Sequence, residues 1–524
     1  MSGLTPAELS IWNALLASIA DEMGVVLGLA AHSPNIRERR DYSAAIFDAG
    51  GEMVAQAAHI PVHLGAMPEA IAAVQRLAPW QPGDVAIVND PYLGGTHLPD
   101  VSLVAPVFHK GELAGFVSNR AHHADIGGMS AGSMPNATEL FQEGIIIPPL
   151  RFLRAGIRND ELYELILRNV RTPRERRGDF DAQLAAIRIG VDRYGRLLDR
   201  YGHSTTHEAT EALKEYAERL ARASIASLPN GDYVARDMLD PGHGGGTRPE
   251  ILVTVRIRDD EAEVDFTGSS PQVDSSVNAV AAVTKSAVAY CLRCLMPPHA
   301  PSNSGYFRPL TFILPEGSVV NARPQHAVSA GNVETSQRIT DVVLAALQQA
   351  APDRIPAASA GTMSNFTYGG YREDGTPFAS YETIPGGAGG GPGGTGEPGI
   401  QTHMTNTANT PLEALERTHP IRVRRFELRD GSGGRGRHPG GDGVVKEVEF
   451  LAPATVSIVG DRRHSGPPGA NGGEPGREGR DVHVAGSGDE SHLASPAQII
   501  VRAGDRIRIE TPGGGGWGDR QAPE

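Results

Sequence analysis

"GDVAIVNDPYLGGTHLPDVSLVAPVFHKGELAGFVSNRAHHAD", residues 83–125, reads as strand, polar loop, hairpin and second polar loop. "GDVAIV" is short and apolar, as a buried strand is. "LVAPVFHKGELAGFVSNR" then forms two strands around a turn at Lys110 and Gly111. A hairpin is antiparallel, so the chain returns to the place where it left. The loop before it, "NDPYLGGTHLPD", and the loop after it, "NRAHHADIGGMSAGSMP", are therefore expected at one end of one sheet. The first carries His97 and Asp100, spaced i, i+3, in a turn shaped by Gly94, Gly95 and Pro99. The second carries His122, His123 and Asp125. Two imidazoles and a carboxylate converging there make a metal site with open positions, suited to Fe²⁺, Mn²⁺ or Zn²⁺.

Working outward, "TPAELSIWNALLASIADEMGVVLGLAA" is an amphipathic helix with capping-box spacing at Thr5 and Glu8. "DYSAAIFDAGGEMVAQ" is a hairpin, and "GAMPEAIAAVQRLA" a helix. Two long helices with charged outer faces follow, up to about residue 225. Beyond it, "ILVTVRIRDDEAEVDFTG" alternates as a hairpin, and "TVSIVGDRR" and "IIVRAGDRIRIETPGGGGWGD" are strands. The expected fold class is α+β, with mixed helices and antiparallel sheets in more than one domain. Residues 1–225 form an α/β region carrying the metal-site loops. Residues 226–524 form a β-rich region with glycine-rich loops, packed on the first.

The chain has 524 residues, 64 glycines and 39 prolines, hence many tight turns. A net charge of -14 argues against nucleic acid or an anionic membrane surface as partner. No signal-peptide pattern and no long apolar run is seen, so neither secretion nor membrane spanning is expected. Two cysteines, Cys291 and Cys294, exclude a disulfide framework and fit a reducing cytoplasmic setting. "AVAYCLRCLM" reads as an apolar helix in which they are core residues. No G-x-x-x-x-G-K-[ST] occurs, so a P-loop is excluded. The glycine-dense "IPGGAGGGPGGTGEPG", residues 384–399, is read either as a mobile surface loop or as an ordered segment of close backbone approach, over the metal cavity or a partner interface. Glu382, His403 and Asn406 at its edges are candidate ligand-binding groups. His59 and His63 in "HIPVHLGAM" line the pocket or pack. Glu139 and Glu143 in "ELFQEGIIIPP" offer a carboxylate near the metal, and Glu143 is assigned as general base.

These segments, with "FQEGIIIPP", "SAGNVETSQRITDVV", "HMTNTANTPLEALE" and "TPGGGGWGD", resemble the hydantoinase B/oxoprolinase family over about residues 5–520. The resemblance implies the metal-containing B-type subunit of an ATP-dependent cyclic amidohydrolase. It implies a hydantoinase A-type partner that binds ATP and Mg²⁺ and phosphorylates the ring carbonyl. A heterotetramer or larger assembly is expected. The family's ligands, a His-x-x-Asp and a later His, carry over onto His97, Asp100 and His122. Neighbouring residues of a strand face opposite ways, so His123 is given a catalytic role that either supports a ligand from behind or faces substrate, oriented by Asp125. Two alternatives stay open: the alpha subunit of an ATP-dependent ketone carboxylase, and a non-catalytic assembly subunit.

Overall fold

The computed structural model describes residues 4–57, 60–63, 65–241 and 248–519. The hairpin that decides the fold lies at the centre of a seven-stranded sheet. Its strands are β1 (Tyr42–Asp48), β2 (Met53–Gln56), β3 (Val85–Val88), β4 (Asp100–His109), β5 (Glu112–His122), β6 (Leu150–Arg154) and β7 (Ile157–Arg158). Their order is β2-β1-β5-β4-β3-β6-β7, with every neighbouring pair antiparallel. Lys110 and Gly111 both take positive φ at the β4–β5 turn, as a tight twisted hairpin requires.

One face of this sheet packs against the helix Pro173–Tyr201 through Val101, Leu103, Ala105 and Val117. The N-terminal helix Pro6–Ala30, with the expected capping box, lies on that helix and on β1. By length and hydropathy it could cross a membrane, but here Trp12, Leu16, Met23 and Leu27 are buried in the core. The other face is apolar at one end, where Phe47, Val104 and Phe116 meet the helix Ala66–Gln75. Along the same face it turns polar. Cross-strand rows run from Phe47–Phe116 through Ala45–Ser118–Val104 and Ser43–Arg120–Ser102 to Asp100–His122. Side chains alternate across a strand, so even-numbered β4 and β5 residues share this face.

A second sheet combines Gly231–Met238, Glu250–Arg258, Glu261–Asp265 and Leu310–Ile313, the last pair being parallel. Two further sheets of four and five strands enclose a separate apolar cluster that includes Phe366, Tyr368, Val448, Phe450 and Ile507. The boundary expected at residue 225 falls at the end of the helix His203–Ala226. The largest apolar cluster nevertheless draws on both sides of it, from Leu9 to Val459. Cys291 is buried in that cluster, as expected, whereas Cys294 is exposed.

The glycine-dense stretch is packed tightly between other backbones. Gly390 donates to the carbonyl of Gly515, and its own carbonyl accepts from Ala357, both at 2.8 Å. Gly441 donates to Ala388, Gly514 to Gly441, and Gly434 to Gly514, at 2.8, 2.9 and 2.8 Å. A Cβ on Gly389 would lie 1.9 Å from the carbonyl oxygen of Ala357, and one on Gly514 2.0 Å from that of Ala388. The expectation of close backbone approach holds, but what approaches is the chain's own backbone.

Candidate metal centre

Asp100 opens β4 and His122 closes β5, and the two are direct cross-strand partners. The loop that precedes them is shaped by its own polar residues. Asp90 accepts from the amide of Tyr92 at 2.9 Å, and Gly94 takes φ of 88° against the helix Ala66–Gln75. Asn89 donates to the carbonyls of Leu98 (2.8 Å) and Ile145 (3.0 Å) and accepts from the amide of Ile147 (2.7 Å). This explains the run of turn-forming and amide residues after a buried strand: it delivers His97 onto the polar end of the sheet face.

There His97, Asp100 and His122 come together, each buried, with ligand atoms within 4.8 Å of one another. His97 Nε2 lies 3.1 Å from His122 Nδ1 and 3.3 Å from Asp100 Oδ2, and His122 Nδ1 lies 3.3 Å from Asp100 Oδ1. His63 adds its Nε2 at 3.2 Å from Asp100 Oδ2, while its Nδ1 meets Ser43 Oγ at 2.8 Å. His63 thus belongs to the centre; His59 lies outside the described residues.

Electrostatics follow from burial and crowding. Burial alone would raise the Asp100 carboxyl, but His97 and His63 hold it well below the usual carboxylate range. Burial would lower His97, yet Asp100 outweighs it and raises that imidazole. His122 and His63 are lowered by burial despite their acidic neighbours. Asp100 Oδ1 and His122 Nε2 are buried without a hydrogen-bond partner. Two imidazoles, a charged carboxylate and its unsatisfied Oδ1 fit a divalent cation of the Mn²⁺, Fe²⁺ or Zn²⁺ class.

Other expected site residues sit differently. His123 faces the opposite side of the sheet, where its Nε2 meets Gln183 Oε1 at 3.0 Å and its ring packs on Phe180. Burial and Arg176 push its pKa down to about 4. Asp125, expected to orient His123, instead accepts from the amides of Gly127, Gly132 and Arg171 and from the Arg171 guanidinium. Glu139 is exposed. Glu143 is fully buried; its Oε1 accepts from the amides of Val328 and Ser329 at 2.9 and 2.8 Å, and Oε2 has no partner. Burial pushes its pKa up to about 7, against those two bonds. The carbonyl of Ser329 lies 3.4 Å from His97 Nδ1, so Glu143 is one residue removed from His97.

Glu382 is ion-paired with Lys446 and accepts from Thr410, while His403 borders a separate cavity of about 180 Å³ with Asp341 and Arg462. Neither joins the centre, and Asn406 is exposed. Sequence reading does not single out Asp41, 4.0 Å from His122, or Asn332, whose Nδ2 lies 3.1 Å from His97 Nε2. Nor does it find Tyr381, stacked on His122. Asn332 sits in a π-helical turn, Gly331–Thr335, and the only sequence signal is polar residues where a buried helix begins.

A protein-family model described as Hydantoinase B/oxoprolinase matches residues 5–520. An uncharacterized protein of Methanocaldococcus jannaschii is 43% identical over 95% of this chain and 88% of its own. 5-Oxoprolinase 1 of Arabidopsis thaliana is 39% identical over 98% of this chain, which spans only 42% of that protein. A protein of a Pseudomonas species, named as the B-type component of a D-/L-hydantoinase, is 31% identical, with 98% and 90% covered. Among solved structures, the ATP-dependent caprolactamase of Pseudomonas jessenii superposes with a TM-score of 0.92 at 30% identity, covering 99% of this chain and 92% of that one. Acetone carboxylase gives 0.90 at 20% identity, covering 98% and 76%, a likeness of fold alone.

Proposed function

The chain belongs to the hydantoinase B/oxoprolinase family, and on that premise we propose that it is the metal-bearing subunit of an ATP-dependent cyclic-amide hydrolase in the cytoplasm. The observation that carries this reading is the buried cluster of His97, Asp100 and His122. These three hold the cation, which when bound supplies Lewis-acid activation of water. Phosphorylation of the ring carbonyl oxygen occurs on an A-type partner that binds ATP and Mg²⁺. In this chain, water adds to the activated carbon, the ring C–N bond breaks as the ring nitrogen takes a proton, and a second water hydrolyses the resulting acyl phosphate to carboxylate and phosphate.

Glu143 is the group suited to carry that proton. Its pKa of about 7 and its free Oε2 meet the requirement for acid–base work at neutral pH. Asp41 and His63 hold charge and orientation around the ligands. A catalytic role for His123 and Asp125 has less support, since Gln183 and Arg171 engage them. The hydrolase reading is favoured over the ketone carboxylase because a 30% identical neighbour of similar length is a caprolactamase, whereas the carboxylase likeness is one of fold. The Pseudomonas relative, named as one component of a hydantoinase, supports assembly with a second chain, for which we propose two copies of each.

The test is an ATP-coupled ring-opening assay on 5-oxoproline, a hydantoin and caprolactam, with and without a co-expressed A-type partner. Turnover is expected only with both chains, and ADP formation only with the A-type chain. ATP hydrolysis by the pure chain overturns the division of labour. Full metal-independent activity of the pair overturns the metal reading.

A further inference from the structure

We propose that Tyr381 is a positioning residue for the metal centre, fixing the ring of His122 by stacking where its second ring nitrogen makes no hydrogen bond. The inference rests on reading His97, Asp100 and His122 as a metal site. A ligating imidazole is ordinarily held in one orientation by a hydrogen bond from its other ring nitrogen. His97 has such a contact, Nδ1 to the Ser329 carbonyl at 3.4 Å. His122 does not: its Nδ1 faces His97 and Asp100, and its Nε2 is buried with no partner, so the side of the ring away from the cluster has no polar anchor.

Tyr381 supplies the missing constraint. Its ring lies 4.5 Å from that of His122, centroid to centroid, with 13° between the planes. The tyrosine is held at both ends. Its hydroxyl donates to Asn365 Oδ1 at 2.9 Å, and Asn365 Nδ2 donates to Glu334 and to the Val459 carbonyl, each at 2.8 Å. Its own carbonyl accepts from Arg39 Nη1 at 3.1 Å, and the Arg39 guanidinium lies 4.7 Å over its ring. Arg39 also bonds Asn35, whose Nδ2 donates to the carbonyl of His122 at 2.6 Å. One buried guanidinium therefore ties the backbone of the ligand to the ring that faces it. The strand Pro377–Thr383, from the distant half of the chain, completes the geometry of the centre.

The experiment uses the full chain, stripped of metal, with Tyr381→Met and Tyr381→Phe. Methionine fills the volume without a plane; phenylalanine keeps the plane but loses the anchor on Asn365. Binding of Zn²⁺ is measured by competition with a chromophoric chelator, and the coordination geometry by the visible spectrum of the Co²⁺ form, with melting temperature recorded alongside. Tyr381→Met is expected to weaken Zn²⁺ binding about ten-fold or more and to alter the Co²⁺ spectrum. Tyr381→Phe should retain most of the affinity. A lowered melting temperature with unchanged affinity and spectrum in Tyr381→Met overturns the inference. If that variant does not fold, Tyr381→Leu carries the test: a Co²⁺ spectrum and Zn²⁺ affinity identical to the parent in this ring-less variant overturn it. Absence of metal uptake by the parent overturns the metal reading, and the inference with it.

Discussion

His122 and His123 are neighbours in sequence and lie on opposite faces of β5, so substitution should separate their roles. His97→Ala, Asp100→Ala and His122→Ala should each leave a folded protein with little bound metal, measured by elemental analysis of the purified chain. Full occupancy in two of the three would reject the ligand set. His123→Ala should keep its metal and lose about 1–3 kcal/mol of stability, because Gln183 Oε1 loses its buried partner. Glu143→Gln can keep accepting from Val328 and Ser329 while losing its proton-carrying capacity. Metal content should be unchanged and ring opening should fall by roughly 100-fold or more. Unaltered turnover would leave Glu143 as a brace for the segment that touches His97.

Among the elements, the interleaved glycine segments make the sharpest contrast. Alanine at Gly389 or Gly514 would bring a methyl group to 1.9 or 2.0 Å from a carbonyl oxygen of backbone held by its own hydrogen bonds. Stability should fall by about 3 kcal/mol or more in denaturant titrations, as overpacking of a rigid site does. Gly393 has nothing within 4 Å of its would-be Cβ, and Gly393→Ala should stay within about 0.5 kcal/mol of the parent. A segment of this kind is a structural layer, and its substitution is expected to disturb folding before it disturbs coupling to ATP. Equal stability of all three variants would restore the mobile-loop account.

For the molecule as a whole, the second apolar cluster contains a built-in acid sensitivity. His419 is buried beside Tyr368 and Phe378, and burial, with Arg372 adding to it, pushes its pKa down to about 4. The unfolded chain binds this proton at about pH 6.5, so between pH 6.5 and 4 unfolding takes up a proton and stability falls as pH falls. The full loss is about 3 kcal/mol and is complete below pH 4. His419→Phe should flatten this part of the stability curve relative to the parent; identical slopes would exclude His419 as the source. Glu143 and Glu334, raised to about 7 and about 8, act with the opposite sign between pH 4.5 and 8, so the comparison with the parent isolates His419.

The amino-acid sequence by itself determined the hairpin at Lys110 and Gly111, the capped N-terminal helix, the antiparallel character and the two loops that hold His97, Asp100 and His122. All of these follow from short-range causes: turn chemistry, capping geometry and a periodicity of two or 3.6 residues. Register then carried the reading further than expected, since an antiparallel hairpin of fixed turn makes Asp100 and His122 cross-strand partners. Only the tertiary structure decided which residues close the site from outside that sheet. Asn332, Ser329 and Tyr381 approach His97 and His122 through the packing of a π-helical turn and a strand hundreds of residues away. No local pattern assigns them to this site, because their role depends on a meeting of surfaces. The glycine-dense segment shows the same limit. Composition required a close approach of backbone, and only the assembled fold decided that the approaching partner was the chain itself.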